Sequence, residues 1–273
     1  MRTIINNSTD NIYISVAGFT IRFHFHPSEI VHLKDNFKDE INQNFSFFII
    51  KPEKSIKFDF SVHFYGYRGI EVISKNNEKK YFLNFYNEIE KRKIVSYYHI
   101  SRFQLEILLK KILSYLLYQD NGFIFHASAN NINGQAVLFT GRSGAGKSTA
   151  MSLLREKFPA LADDNAVIRK ENNKFYFYQI PLPEKISIEA KSSKRYPLGK
   201  IFFLKKDVSF KFERITEKNY ILRRLLKQFW TEKNFTERHL KTLMELVANF
   251  DEFYYLFFAK KKEEINRLFR MIK

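Results

Sequence analysis

Residues 136–158 read AVLFTGRSGAGKSTAMSLLREKF: an apolar run, a glycine-rich turn and a helix-like stretch. Gly141 to Ser148 matches G-x-x-x-x-G-K-[ST], and the spacing has a mechanical basis. Gly141, Gly144 and Gly146 permit backbone angles that turn successive N–H groups inward around Arg142, Ser143 and Ala145, a nest for phosphate oxygens. A helix opening near Gly146 aims its positive end at the same anion. Lys147 then reaches β- and γ-phosphates, the Ser148 hydroxyl holds Mg²⁺, and Thr149 adds a contact to the α-phosphate. The chain has nine glycines and three sit in this loop, with a strand expected at 136–140 and a helix at 150–158. The segment is therefore read as an ATP-phosphate loop rather than an ordinary strand-to-helix turn.

Upstream, FIFHASAN and QAVLFT flank Asn133 and Gly134, the pair favoured in a two-residue hairpin turn. Residues whose numbers sum to about 267 then face each other, which sets His126 opposite Gly141. There it is either a group that moves a proton or stabilises charge near the γ-phosphate, or a half-buried strand histidine bonded to backbone. Downstream, Asp163 and Asp164 end the apolar approach PALA. A strand returning beside the loop strand delivers both carboxylates to the phosphate end of the sheet. One then helps bind Mg²⁺ and the other accepts a proton from an attacking hydroxyl; the bland alternative is a solvated turn.

HASA, GQAVLFTGRSGAGKST and LADDNAV together resemble the ATP-binding core of the HPr kinase/phosphorylase family, and more closely its smaller HPr-kinase-like serine kinases. Those proteins share a variant nucleotide-binding fold with ATP-dependent phosphoenolpyruvate carboxykinases. The resemblance covers residues 120–170 well, with YFYQIPLPEK, YPLGKIFFLKK and YISVAGFTIRF suggestive elsewhere. It implies that Asp163 is the catalytic base for a substrate hydroxyl, that Asp164 lies by the metal, and that His126 lies near the transferred phosphate. Arg142 stands where HPr kinases usually carry an acidic residue, and the signature that follows the acid pair is not clear here. Both departures count against HPr as substrate and against phosphorylase activity. Some kinase-like members accompany ribosomally made peptides, lasso peptides among them, and phosphorylate a precursor serine.

Around this core, residues 1–95 read as a β-rich domain, with strands in IYISVAGFTIRFHF (turning at Ala17 and Gly18), FSFFII, SIKFDFSVHFYGY, GIEVIS and KKYFLNFY, and with KPEK and KNNEKK as loops. Residues 96–273 read as an α/β nucleotide-binding kinase domain with a helical C-terminus. Its first helix opens at Ser101, in capping-box spacing with Gln104, and its stripe runs from Phe103 and Ile107 through Leu108, Leu109 and Ile112 to Leu116, stopping at Asn121 and Gly122. LADDNAVIRK, KFYFYQI and GKIFFLKK read as strands. NYILRRLLKQFW, ERHLKTLMELVANF and AKKKEEINRLFRMIK read as helices, with Ile265, Leu268, Phe269 and Ile272 on one stripe of the last.

The chain has 273 residues and no cysteine, which excludes disulfides, zinc–thiolate sites and a thiol nucleophile. No signal core opens it, and FQLEILLKKILSYLLY is broken by Glu106, Lys110 and Lys111, so a soluble cytoplasmic protein is expected. The formal net charge of +17 suits an acidic partner, yet the basic residues are scattered among abundant Lys, Asn, Ile and Phe. His24 and His26 share one strand face, with only the distant His32 as a third candidate ligand. Arg223 and Arg224 either reach phosphate or lie on a solvated helix face; Glu184 is a candidate second acid for the metal; Trp230 reads as packing. The leading expectation is a Mg²⁺-ATP-dependent kinase acting on a serine-type hydroxyl of a peptide or small protein, with no membrane or nucleic-acid partner and a homo-oligomer left open. A kinase of a small molecule such as free serine or a sugar uses the same chemistry. A P-loop ATPase or nucleotide-dependent regulator of a nucleic acid or protein complex is the competing class.

Overall fold

The computed structural model describes residues 10–30, 32–51, 56–66, 73–75, 81–83, 85–230 and 236–272. Most of KPEK, GIEVIS and KNNEKK falls outside them. The chain forms two compact units, 1–112 and 113–273.

In the first unit, β1 (Asn11–Val16) and β2 (Phe19–Phe25) form the hairpin expected at Ala17 and Gly18, both with positive φ. Then come α1 (Leu33–Asn44), β3 (Ile49–Ile50), β4 (Phe60–Tyr65), β5 (Ile73–Lys75), β6 (Tyr81–Leu83), β7 (Tyr86–Glu90) and β8 (Lys93–Tyr97). The six-stranded sheet runs β3-β1-β2-β4-β8-β7, with β2, β4 and β8 parallel to one another in turn; β5 and β6 pair separately. Strict alternation along β2 buries Phe19, Ile21, Phe23 and Phe25 and leaves Thr20, Arg22 and His24 on the half-exposed face. The buried face packs on α1 through Phe37, 4.9 Å from the Phe64 ring. Sequence reasoning missed α1, whose buried residues are only Phe37 and Ile41, an i, i+4 pair too sparse to form a stripe. FSFFII is mostly a turn: Ser46–Phe48 is a 3₁₀ helix, and only Ile49 and Ile50 are strand.

α2 (Arg102–Gln119) spans the division between the units. Its capping box is reciprocal: the Ser101 N–H donates to Gln104 Oε1 at 2.8 Å, and the Gln104 N–H to Ser101 Oγ at 3.3 Å. The expected stripe is corrected at two positions. Phe103 and Ile107 are exposed, whereas Leu108, Leu109, Ile112 and Leu116 are buried.

The second unit contains β9 (Gly122–His126), β10 (Ser128–Ile132), β11 (Gln135–Thr140), α3 (Lys147–Leu154), β12 (Ala160–Ala162), β13 (Asn165–Glu171), β14 (Lys174–Tyr178), β15 (Arg195–Lys206), β16 (Lys211–Arg214), α4 (Lys218–Leu226), β17 (Phe229–Trp230), α5 (Thr236–Asn249), β18 (Phe253–Phe258) and α6 (Lys262–Arg270). One mixed sheet runs β12-β10-β11-β15-β14-β13-β9-β17, with β18 parallel to the second half of β15 and β16 on its far edge. The central strands β11, β15 and β18 are parallel and covered on both faces, hence their nearly continuous apolar runs. Val137, Phe139, Phe202 and Leu204 face α3 and α6; Ala136, Leu138, Ile201 and Phe203 face α4 and α5. The aromatic run FYYLFF lay hidden among helices in the sequence, yet β18 completes this parallel trio.

Carbonyls in the last turn of α3 and in the turn that follows it are met by side chains from neighbouring elements. Asn130 Nδ2, fully buried on β10, donates to Met151 O at 3.2 Å and to Phe158 O at 2.7 Å. Asn266 Nδ2 on α6 donates to Leu153 O at 2.9 Å. Asn130→Ala strips two carbonyls of a donor inside the core and is expected to lower unfolding free energy by about 1–3 kcal/mol, read as a reduced urea midpoint. An unchanged midpoint contradicts it.

Candidate functional site

The Asn133–Gly134 turn holds both residues at positive φ and fixes the β10–β11 register, with Ser128 opposite Phe139 and Ile132 opposite Gln135. Both pairs sum to 267, as expected. The ladder ends at Ser128, so His126 does not face Gly141. Its strand pairs instead with β13, His126 opposite Asn165.

That pairing reveals a second register. Ala129 lies opposite Ala162 and His126 opposite Asn165, both summing to 291. Two antiparallel segments, 126–129 and 162–165, thus cross together from one part of the sheet to the other. Asp163 and Asp164 sit at this crossing, between β12 and β13. β12 pairs with β10, not with the loop strand β11, so the acids reach the site from one strand further out than expected.

Asp163 is 1% exposed. Its Oδ1 accepts from the Ser128 hydroxyl at 3.3 Å, its cross-strand partner by the same register, and its Oδ2 accepts from the Ile186 N–H at 3.1 Å. His126 Nδ1 lies 3.0 Å from Asp164 Oδ1 and 3.1 Å from the Asp164 backbone carbonyl, so it meets both side chain and backbone, and Lys185 Nζ lies 3.1 Å from the same Oδ1. The approach of the His126 ring, joined by Lys185, brings the Asp164 carboxyl down to about 2.

Glu184 takes a different place from the one expected. Its Oε2 accepts both backbone N–H groups of the acid pair, from Asp163 at 2.8 Å and Asp164 at 3.0 Å. Its Oε1 accepts from Lys191 Nζ at 2.9 Å, and only 3% of the side chain is exposed. Burial raises its pKa against the pull of Lys191. The carboxylate is thus occupied in holding the Asp163–Asp164 backbone.

The segment from Gly141 to Gly146 joins β11 to α3, with all three glycines at positive φ. At Gly146, φ is 101°, a backbone conformation strained for any residue with a side chain, and a Cβ would also sit tightly, 3.0 Å from the Phe258 ring. Lys147 is buried and donates to Gly141 O at 3.0 Å. Burial lowers its pKa, Lys185 pushes the same way, and Asp164 and Asp163 oppose them.

A cavity of about 680 Å³ gathers part of this set; Asp163 lines it, whereas Asp164 and Glu184 do not. His126, Ser143, Gly144, Gly146, Lys147, Ser148, Thr149 and Asp163 line it. β11, β15 and β18 all end here, where ligand crevices form in open α/β sheets. β15 and its exit contribute Lys206, Asp207 and Val208; β18 and its exit contribute Phe258, Ala259 and Lys260. Sequence reasoning missed these last six, because only the parallel pairing brings the strand ends together, and it missed Lys185, which lies in the irregular segment between β14 and β15. Of the expected loop residues, Arg142 and Ala145 line a neighbouring cleft of about 420 Å³ instead, with Gly144, Lys205, Lys206 and Arg224. Gly141 lines neither. Arg223 is exposed and lies 3.5 Å from Glu217. Trp230 belongs to β17, paired with β9. No helix among the described residues is long and apolar enough to cross a membrane.

The family described as SynChlorMet cassette protein ScmC matches residues 98–218, less than half of the chain but the part that holds His126, the glycine loop, the acid pair and Glu184. No curated protein matches. Among solved structures, the Hpr(Ser) kinase/phosphatase from Coxiella burnetii is similar at 16% identity over 46% of this chain and 93% of that one. Its TM-score of 0.25 is too low to carry an argument.

Proposed function

We propose that the second unit is a Mg²⁺-ATP-dependent kinase that transfers the γ-phosphoryl group to a serine-type hydroxyl on a peptide or small protein. The observation that carries this reading is a single cavity lined both by the glycine loop with Lys147 and by the buried Asp163 carboxylate. A phosphate site alone needs only the first. A carboxylate that lines the same cavity, with its orientation fixed by Ser128 and the Ile186 N–H, is a group placed to take a proton.

In this reading the inward N–H groups of the loop, the start of α3 and Lys147 hold the phosphates. Lys185, Lys206 and Lys260 add positive charge around the transferred group. Asp163 accepts the hydroxyl proton as the acceptor oxygen bonds to the γ-phosphorus. The bond from that phosphorus to the β–γ bridging oxygen breaks, and ADP leaves with the electron pair. Ser148 and Asp164 offer the hard oxygen donors that suit Mg²⁺, which neutralises phosphate charge when bound. His126 orients Asp164 through its Nδ1 contact.

The test is mass spectrometry of products after incubation with ATP, Mg²⁺ and serine-bearing peptides encoded near this chain. One added phosphoryl group, about 80 Da, on a peptide with matching ADP release is the expected result. ADP release indifferent to every acceptor, with no phosphorylated product, overturns it in favour of an ATPase.

A further inference from the structure

The half-exposed face of the first unit's sheet carries a group unrelated to the cavity. β2 and β4 run parallel with His24 opposite His63, and His26 follows two residues along on the same face. His63 was invisible as a partner in the sequence, since it lies 37 residues from His26 and on another strand. His32, the third histidine that sequence reading offered, caps α1 and is not in the group.

We propose that His24, His26 and His63 bind a divalent transition metal ion of zinc type through three imidazole nitrogens, leaving one position open. One ring nitrogen from each lies within 4.8 Å of the other two. Two are already closer, His26 Nε2 and His63 Nδ1 at 3.0 Å. Tetrahedral zinc with Zn–N bonds of about 2.0–2.1 Å sets its ligand nitrogens about 3.3 Å apart, so small side-chain rotations suffice. His24 Nδ1 is 2.9 Å from Asn11 Oδ1, which fixes the proton there and turns the Nε2 lone pair out. On ligation, the proton shared by His26 and His63 moves to His63 Nε2. Arg22, whose Nη2 lies 3.4 Å from that nitrogen, moves aside.

Two further observations support the site. Behind the histidines, Phe23, Phe25 and Phe64 are fully buried, which makes the strands a rigid platform. Asp10, a nearby carboxylate, is paired with Lys34, so the ligand set is imidazole and favours a borderline metal over Mg²⁺ or Ca²⁺.

Cobalt(II) titration of the full chain tests this. The expected result is one tetrahedral cobalt per chain, displaced by zinc and undisturbed by excess Mg²⁺-ATP. His63→Gln and His24→Gln are expected to weaken binding at least tenfold, while His126→Gln leaves it unchanged. X-ray absorption of the native chain with one zinc, which needs no variant, is expected to report three imidazole nitrogens. Absence of stoichiometric binding, or a cobalt signal that follows His126 instead of His63, overturns the proposal.

Discussion

Asp163→Asn is expected to lower phosphotransfer by about 10²–10⁴-fold while leaving ATP affinity within about twofold, the range typical for loss of a general base. The substitution is nearly isosteric, and the surroundings accept it. Asp163 receives one hydrogen bond at each oxygen, from Ser128 Oγ and from the Ile186 N–H. An amide keeps the second with its oxygen. The Ser128 hydroxyl rotates to accept from the new NH₂. Both bonds survive, the fold is retained, and only proton acceptance is lost. On the proposed reading ATP is held by the loop, by Lys147 and by the helix start; the hydrogen bonds of Asp163 go to Ser128 and Ile186 instead, and its charge is the smallest of the influences on Lys147, after burial, Lys185 and Asp164. Isothermal titration with ATP and a discontinuous assay for phosphorylated peptide separate the two quantities. Loss of ATP binding in step with activity means that Asp163 belongs to the nucleotide site instead. Unchanged turnover means that another group takes the proton.

What could be read in the sequence was what is local. GRSGAGKS carries its own backbone requirement, and Asn133–Gly134 sets a register that holds over every pair of the β10–β11 ladder. The second register, summing to 291, joins segments 33 or more residues apart and has no turn to announce it. For that reason His126 was placed against the wrong partner and Asp163 beside the wrong strand, although both residues do reach the cavity. The same limit hid His63, since a parallel strand pair leaves no short-range signal. α1 and β18 failed for opposite reasons. One has too few apolar residues to show a period, and the other has so many that no period stands out. Phe103 and Ile107 fit a helical stripe by spacing alone, yet burial follows what the neighbouring elements cover. Glu184 looked like a metal acid because chemical type is visible in a sequence and direction is not.

Glu184→Ala is the second large effect, and it separates holding the site from merely holding the fold. The carboxylate satisfies two buried N–H groups and an ammonium whose side chain is 13% exposed. Its removal orphans the two N–H groups and leaves Lys191 with only the carbonyls of Ile180 and Leu182. Breaking a buried ion pair from one side costs about 3–5 kcal/mol; those carbonyls keep the expected loss near the lower end, a fall in melting temperature of roughly 6–12 °C. Activity of the folded fraction is expected to fall at least tenfold, because the peptide joining Asp163 to Asp164 loses its anchor and a displacement of about 1 Å is enough. Glu184→Gln discriminates between the two roles. Its amide oxygen still accepts both N–H groups, but its NH₂ faces Lys191, so the ion pair is lost while the two N–H groups stay satisfied: stability falls by less than in the alanine variant, and turnover recovers most of its value. If both variants lose stability and neither loses turnover per folded molecule, Glu184 holds the fold and does not position the acids.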